Sequence, residues 1–290
     1  MGQLSTAKIL KKKFKDKDEK SNWPLTILML IGTVTIIFPL IITVLIALKS
    51  PQDMMGGVLS LPEVFHFENF KNAIEMTNFF NALKNSLFIT ITTVIFTVVT
   101  NSMVGYAIAR NLHKKSYKAI YYYFISAMFV PFPIIMLPLV KQVSSWNMDN
   151  IFGVLLLYIV YGLSSNVFLY VGFLKAIPKE LEEAAFIDGA STWQVFFKIV
   201  FPMCKPMHAT VAIMTALWCW NDVMLPLVIL SDPNFATIPL VQFIFQSQFG
   251  TNYNLAFASY LLALIPILLF YLFAQKWIIS GVTKRSEERR

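Results

Sequence analysis

Charge and reactive side chains are scarce in this sequence. Only 14% of its 290 residues are Asp, Glu, Lys or Arg, whereas soluble domains average about 25%. The two cysteines, Cys204 and Cys219, have no metal-ligand spacing around them, so we predict neither a disulfide nor a metal site. The sequence has no G-x-x-x-x-G-K-S/T phosphate loop and no cluster of nucleophile, base and metal ligands. We therefore predict a chain without catalytic residues or a cofactor, which does not hydrolyse ATP itself.

Hydrophobic residues are abundant and make up 57% of the chain. Crossing the hydrocarbon core of a membrane takes roughly 20 helical residues, and apolar runs of that length recur six times. We predict an all-α membrane protein with six transmembrane helices. They form one domain, residues 24–280, between a basic N-terminal segment (1–23) and a C-terminal tail (281–290). The predicted spans lie near residues 25–48, 86–109, 118–140, 151–174, 208–230 and 256–279.

The first apolar run has an alternative interpretation as a cleaved signal peptide, because Lys-rich residues precede it. Signal peptides have an apolar segment of only about 7–15 residues, followed by a small-x-small cleavage site. This run is longer and no such site follows it, so we expect it to remain as span one.

The positive charges are distributed unevenly. Most of the 24 Lys and Arg precede span one, follow span two, lie between spans four and five, or follow span six. Six spans put these four segments on one side of the membrane, which the positive-inside rule identifies as the cytoplasm. We therefore predict that both termini are cytoplasmic. The net charge of +8 then needs no nucleic-acid partner.

Two segments interrupt the regular pattern. Span three contains Pro131, Pro133 and Pro138, and each proline removes a backbone hydrogen bond, so the helix must bend. The bend is either an ordinary kink or part of a moving gate. The outer connection 231–255 mixes aromatic and polar residues and suggests a re-entrant or interfacial segment rather than a free loop.

The connection between spans four and five is polar and charged. Pro178 and the Glu residues after it favour the start of a short helix, and Gly189 tolerates the left-handed conformation that ends many helices. Ser191 and Gln194 have the spacing of a capping box, which predicts a second short helix ending before Pro202. The result is a cytoplasmic hairpin. It either carries the movement of a partner into the membrane or only anchors spans four and five.

A specific resemblance lies within this hairpin. Glu183, Ala184 and Ala185 are followed by Gly189 after three residues, and then by Ile, Phe and Pro within residues 199–202. This spacing resembles the EAA signature of ABC importer permeases, with Phe where Leu is commoner. Similar segments occur over most of the chain: NSLFITI, GYAIAR, WNDVMLPLVIL, TIPL and FQSQFG. The chain resembles a maltose-type permease, one of the two membrane subunits of a bacterial carbohydrate ABC importer.

The resemblance implies a type I importer permease fold in the bacterial cell membrane, with residues 175–206 as a coupling hairpin. It also implies several partners: a second, homologous permease, two copies of an ATP-binding subunit and an extracytoplasmic sugar-binding protein. In that family the EAA loop sits in a groove of the ATPase. The residues implied to contact or support the ATPase are Glu183, Ala184, Ala185, Asp188, Gly189 and Pro202.

Span five carries the only carboxylate within the six predicted spans, Asp222. An ionisable side chain inside a membrane is costly unless it faces a packed or hydrated interior, so it marks a candidate functional site. On a continuous helix, Trp218, Asn221, Asp222 and Leu225 share one face. We predict that this face lines the substrate path, because indole, amide and carboxylate groups suit sugar rings and hydroxyls. Alternatively, Asn221 and Asp222 only hydrogen-bond a neighbouring helix.

The main competing function is a secondary transporter driven by an ion gradient. Such proteins commonly use several intramembrane acids, histidines or broken ion-coordinating helices. This sequence has one acid in its predicted spans and no obvious internal repeat. We therefore favour an ATP-driven carbohydrate importer, with an oligosaccharide as the first choice of solute.

Overall fold

The structure, a computed structural model, describes residues 23–248 and 252–287, and the side chains of residues 23–243 and 252–272. The basic segment up to residue 22 and the end of the FQSQFG motif lie outside the described residues. The side chains of the predicted C-terminal tail also lie outside them.

Helices make up the regular structure, and the described residues contain no strand, so the all-α prediction is confirmed. A 3₁₀ turn at Asp53–Gly56 follows the first helix, and another lies at Pro233–Phe235. The helices in chain order are α1 (Trp23–Ala47), α2 (Glu68–Met76), α3 (Phe79–Asn111), α4 (Lys115–Ala127), α5 (Phe132–Ser145), α6 (Ile151–Leu174), α7 (Glu180–Ile187), α8 (Thr192–Met203), α9 (Lys205–Asn221), α10 (Met224–Ile229), α11 (Ile238–Gln248) and α12 (Tyr253–Glu287).

Four of these helices, α1, α3, α6 and α12, are long and apolar enough to cross a membrane. The count rises to six when each bent pair is taken as one span. The two pairs are α4 with α5, bent by 107°, and α8 with α9, bent by 76°. Each of these six overlaps a predicted apolar run. The pair counted as span five lies earlier than predicted, over residues 192–221 instead of 208–230, and α3 begins at Phe79, seven residues before its predicted start.

The bend predicted in span three is present and lies at the first of its prolines. Helix α4 ends at Ala127, and Pro131 is extended (φ −65°, ψ 135°) immediately before α5 begins. Pro138 lies inside α5. A proline disfavours the helical conformation of the residue before it and has no amide hydrogen to donate, so the chain changes direction there. A role of this bend in gating stays a prediction.

The prediction of one continuous helix through span five is wrong. Helix α9 ends at Asn221, Asp222 is extended (φ −78°, ψ 130°), and α10 begins at Met224. The physical reason is Pro226, because a proline inside a helix clashes with the carbonyl four residues earlier, here that of Asp222. The Asp222 carboxylate accepts hydrogen bonds from the amides of Met224 (3.0 Å) and Leu225. It therefore caps α10 instead of continuing α9.

The centre of the bundle is the contact between α3 and α6. Gly105 of α3 lies against Tyr170 of α6, and a Cβ atom at this glycine would be only 2.6 Å from the Tyr170 Cβ. Ile108, Val167 and Tyr170 continue this contact as a fully buried apolar cluster. Helix α1, in contrast to α3 and α6, is hardly buried. Its side chains are exposed along nearly all of its length, and only Ile46 and Ala47 of this helix are buried.

The N-terminal end of α3 is clipped to the connection before α11. The Asn85 side chain donates to the carbonyls of Asn234 (2.8 Å) and Ala236 (3.1 Å), and the Ser86 hydroxyl accepts from the amide of Ile238 at 2.8 Å. Helix α11 then packs against α12. The connection 231–255, predicted to be an outer one, is therefore partly helical in its described residues, in agreement with the expectation that it is not a free loop.

Candidate functional site

The coupling hairpin forms as two short helices, α7 and α8, with Gly189 between them. Gly189 has φ +83°, a left-handed conformation that glycine adopts without the steric cost of a Cβ atom. The Gly189 amide donates to the carbonyl of Phe186 (3.1 Å) and the Ala190 amide to that of Ala185 (2.9 Å). This pair of hydrogen bonds is a Schellman motif. The predicted role of Gly189 as the end of the first helix is confirmed.

The predicted capping box opens the second helix of the hairpin. The Ser191 hydroxyl accepts from the Gln194 amide, and the Gln194 side chain accepts from the Ser191 amide at 2.8 Å. The expectation that this helix ends before Pro202 is wrong, because it continues through a π-helical stretch, Phe196–Val200, to Met203. Pro202 lies in the first turn of the segment after the π-helix, where a missing amide hydrogen is tolerated.

The hairpin packs one side against the bundle and exposes the other. Val195, Phe196 and Val200 of α8 are buried in the cluster that α3 and α6 form. The opposite side of the hairpin has exposed apolar side chains, including Ile187 (87% exposed) and Trp193 (62% exposed). The resemblance-derived residues Glu183, Ala184, Asp188 and Gly189 are exposed as well, whereas Ala185 and Pro202 are half-buried.

Glu182, which the sequence analysis used only as a signal for the start of a helix, is the one buried residue of α7. Its carboxylate accepts a hydrogen bond from the Tyr106 hydroxyl at 2.8 Å and forms an ion pair with the Arg110 guanidinium, whose Nε lies 2.8 Å away. We call these three residues the polar joint. A signal was available, because Tyr106 and Arg110 are four residues apart in the GYAIAR segment and so share one face of α3.

Arg110 also connects the polar joint to the C-terminal end of α6. Its guanidinium donates to the carbonyl of Leu174 at 2.9 Å and to that of Ile177 at 3.4 Å. These carbonyls belong to the end of α6 and to the turn after it, where helices leave carbonyl groups without an intrahelical partner. Next to the joint, Tyr106, Tyr117, Trp193 and other residues line an open cavity of about 560 Å³ between α3 and the hairpin.

The predicted substrate-path residues separate into two groups. Trp218 and Asp222 both contact Tyr158 of α6. The Tyr158 hydroxyl donates to Asp222 at 2.9 Å, and the Tyr158 ring lies edge-on to Trp218. The single face predicted for Trp218, Asn221, Asp222 and Leu225 does not exist, because the helix is broken after Asn221. The Asn221 side chain turns back to the Leu217 carbonyl (2.7 Å), and Leu225 is buried.

An aromatic residue that the sequence analysis did not select completes this region. The ring of Tyr161 stacks on Trp218 with centroids 5.7 Å apart and an angle of 21° between the rings. Both side chains remain more than a third exposed. Phe132, at the start of α5, lies edge-on to Tyr161. The breaks in spans three and five thus meet at one open aromatic surface, which we call the aromatic platform (Phe132, Tyr161, Trp218), and the buried Tyr158 lies beneath it.

No group of three or more metal-binding side chains occurs among residues 23–243 and 252–272. What the described site offers is an exposed hairpin, a buried ion pair and an aromatic surface beside a capped helix break.

Comparison with known proteins places this architecture in a family. Residues 101–284 match the family described as binding-protein-dependent transport system inner membrane component. The chain is 38% identical over 274 residues to the multiple sugar-binding transport system permease protein MsmG of Streptococcus mutans, covering 92% of this chain and 98% of the relative. It is 33% identical to the probable starch degradation products transport system permease protein AmyC of Thermoanaerobacterium thermosulfurigenes, covering 89% of this chain and 94% of that relative.

A solved structure shares the fold. A chain of the bacterial ABC transporter involved in the import of the acidic polysaccharide alginate superimposes with a TM-score of 0.75 at 21% identity, covering 90% of this chain and 97% of that one. The family match extends over more than half of the sequence, and a relative is similar over nearly its whole length. The chain therefore belongs to the family of binding-protein-dependent transport system inner membrane components.

Proposed function

We propose that this chain is a membrane-spanning permease subunit of a bacterial ABC importer and forms half of the translocation path for a carbohydrate, with an oligosaccharide as the preferred class. The observation that carries the proposal is the similarity to sugar permeases over almost the full length of both chains. The exposed hairpin with its left-handed Gly189 supports it, because this feature suits contact with a separate motor subunit.

The partners follow from this role. They are a second, homologous permease, two copies of an ATP-binding subunit that hydrolyses ATP, and an extracytoplasmic sugar-binding protein. One structural relative is an alginate ABC transporter in complex with a pentasaccharide-bound periplasmic protein. The exposed apolar side chains of α1 are consistent with contact with lipid or with the second permease. Both termini are cytoplasmic in this proposal, which the distribution of Lys and Arg supports.

The ATPase contact is proposed for the outer surface of the coupling hairpin. Glu183, Ala184 and Asp188 are exposed there, beside the apolar side chains of Ile187 and Trp193. A small-residue helix face flanked by exposed apolar groups suits insertion into a groove of another protein. Ala185, Gly189 and Pro202 support this surface by shaping the turn and the second helix.

The sugar contact is proposed for the aromatic platform. The Trp218 and Tyr161 rings offer flat apolar faces, and the Tyr161 hydroxyl and the indole N–H offer polar edges. Asp222 holds Tyr158 and caps α10, so its main role is to position this surface, as the packing interpretation of the sequence anticipated. Asn221 and Leu225 do not belong to the platform.

The function is tested by purifying the tagged chain from its own cells and reconstituting the complex into vesicles with the binding protein. We expect an ATP-binding subunit and a second permease to co-purify, and labelled oligosaccharide uptake to need both ATP and the binding protein. Uptake driven by an ion gradient without nucleotide would instead establish the competing function, a secondary transporter.

The aromatic platform is tested by Trp218→Ala in the same vesicles. Loss of a central aromatic contact typically costs about 2 kcal/mol, so we expect half-maximal uptake to need roughly 30-fold more sugar. Trp218→Phe should retain most of the affinity because it keeps a ring. The matched control is Trp146→Ala, which removes an exposed tryptophan at the end of α5. Equal uptake by Trp218→Ala and the control would contradict the proposed sugar contact.

A further inference from the structure

The two helices of the coupling hairpin are held to the bundle in different ways. Helix α8 packs through buried apolar side chains such as Val195 and Phe196. Helix α7, which carries the proposed ATPase contacts, buries only Glu182. Apart from the half-buried Ala185, which packs on the apolar cluster, its attachment is the polar joint, where Tyr106 and Arg110 of α3 bind both oxygens of the Glu182 carboxylate.

Helices α7 and α3 are not neighbours along the sequence. The hairpin follows α6 and precedes α9, whereas Glu182 is 76 residues from Tyr106 and 72 from Arg110 along the sequence. Without the polar joint, a push on α7 would reach the bundle only indirectly, through the chain connection to α6 and through α8 with its apolar packing. With it, the same push also acts directly on the inner end of α3.

The chemistry of the joint suits force transmission. Apolar contacts allow sliding, but an ion pair with a second hydrogen bond fixes both the distance and the direction between two helices. The side chains are well shielded, with Arg110 12% and Glu182 6% exposed, so water screens the pair weakly. Arg110 also binds the carbonyls of Leu174 and Ile177, so α3, α6 and α7 meet at one guanidinium.

Helix α3 can carry that force across the whole membrane. Its 33 residues span about 50 Å at 1.5 Å per residue. Its outer end is clipped by Asn85 and Ser86 to the connection at residues 234–238. A displacement applied at Arg110 therefore reaches the outer face without passing through a helix break, unlike one applied to the interrupted α9–α10 segment.

We propose that the polar joint of Tyr106, Arg110 and Glu182 is the element that transmits movement of the ATPase from α7 into α3, and that these are positioning residues for coupling. This inference rests on the proposed function, because it needs a motor that moves the hairpin. It adds a second route for the motion, through span two, to the covalent route through spans four and five.

The decisive variant is the pair Arg110→Met with Glu182→Leu in the complete reconstituted importer. Either single change leaves a buried charge without its partner and should weaken assembly, whereas replacing both members of a buried ion pair with apolar residues is often neutral for stability. The measurements are the amount of ATPase subunit bound to the permease and the number of sugar molecules transported per ATP hydrolysed.

We expect the double variant to bind the ATPase as the unchanged chain does but to transport about tenfold less sugar per ATP, a loss within the usual range of coupling effects. Glu180→Gln, which alters an exposed carboxylate on the same helix, should leave both measurements unchanged. An assembled double variant with normal sugar transport per ATP would overturn the proposal, because the joint would then only support the fold.

If the double variant fails to assemble, Tyr106→Phe tests the coupling role of the polar joint instead. It removes one hydrogen bond and keeps the ion pair, so we expect normal ATPase binding with less sugar transported per ATP. An unchanged ratio would overturn the proposal. Failure of the proposed function looks different: the unchanged chain itself would then bind no ATPase or take up sugar without ATP.

Discussion

At the residue scale, the carboxylates of Glu182 and Asp222 have different structural roles. Glu182 is buried and joins two helices that are distant in sequence, through Tyr106 and Arg110. Asp222 is half-buried and acts locally, because it caps α10 and accepts one hydrogen bond from Tyr158. Neither carboxylate lacks a hydrogen-bonding partner, as expected for acids removed from water.

Gly189 is required for its backbone conformation rather than for lack of space. A Cβ atom there would contact nothing within 4 Å, but φ is +83°. We expect Gly189→Val to destabilise the hairpin by about 1–3 kcal/mol and to reduce both ATPase binding and sugar uptake. Gly189→Asn is the matched control, because Asn tolerates the left-handed region. If Val and Asn behave alike in co-purification and uptake, the backbone argument is wrong.

Asp222 is predicted to matter through the cap on α10. Asp222→Ala removes the acceptor for two backbone amides and for the Tyr158 hydroxyl, and loss of a helix cap costs about 1 kcal/mol. We expect a lower melting temperature of the purified complex and weaker uptake. Asp222→Asn should show a smaller decrease because its side-chain oxygen can still cap. Unchanged melting in Asp222→Ala would contradict the capping role.

At the element scale, segments that resemble family motifs pair with one another in space. The start of NSLFITI, Asn85 and Ser86, holds the chain just before and within TIPL near the N-terminal end of α3. The end of GYAIAR, Tyr106 and Arg110, holds the EAA helix α7 at the C-terminal end of α3. Helix α3 is therefore the element that links the outer connection to the coupling hairpin.

The contact between α3 and α6 depends on a glycine at the crossing point. At Gly105 a methyl group would be 2.6 Å from the Tyr170 Cβ, so Gly105→Ala should force the helices apart and cost about 1–3 kcal/mol. Gly172→Ala is the matched control, since a Cβ on this α6 glycine meets nothing within 4 Å. Thermal unfolding of both purified variants tests this, and an equal effect of the two changes would contradict the packing argument.

At the scale of the whole molecule, the prediction concerns which face is cytoplasmic. The native Cys204 and Cys219 are buried, so single added cysteines can report on sidedness. Gln52→Cys and Lys198→Cys place a thiol at exposed positions of the outer connection and of the hairpin. We expect a membrane-impermeant maleimide to label residue 52 in intact cells and residue 198 only in opened cells. The reverse pattern would show that the proposed orientation is inverted.

Local sequence signals were sufficient for much of this protein. Apolar runs predicted six crossings because helix length and bilayer thickness are matched over one contiguous stretch. The capping box of Ser191 and Gln194 and the turn at Gly189 depend on residues within a few positions of each other, so they could be predicted without knowledge of the fold. Pro226 also signalled the break after Asn221, but the periodicity of the apolar and polar side chains favoured a continuous helix.

Only the tertiary structure decided which distant residues meet. The polar joint and the clip at Asn85 depend on contacts between residues 72 to 151 positions apart, for which no local pattern exists. The aromatic platform arises because two helix breaks, in spans three and five, come together beside α6. The sequence by itself thus determined the helices and the ends of the hairpin, since these depend on short-range sterics and hydrogen bonds. The tertiary structure decided how the hairpin is attached, because a buried charge must find its partner wherever the packed helices bring one near.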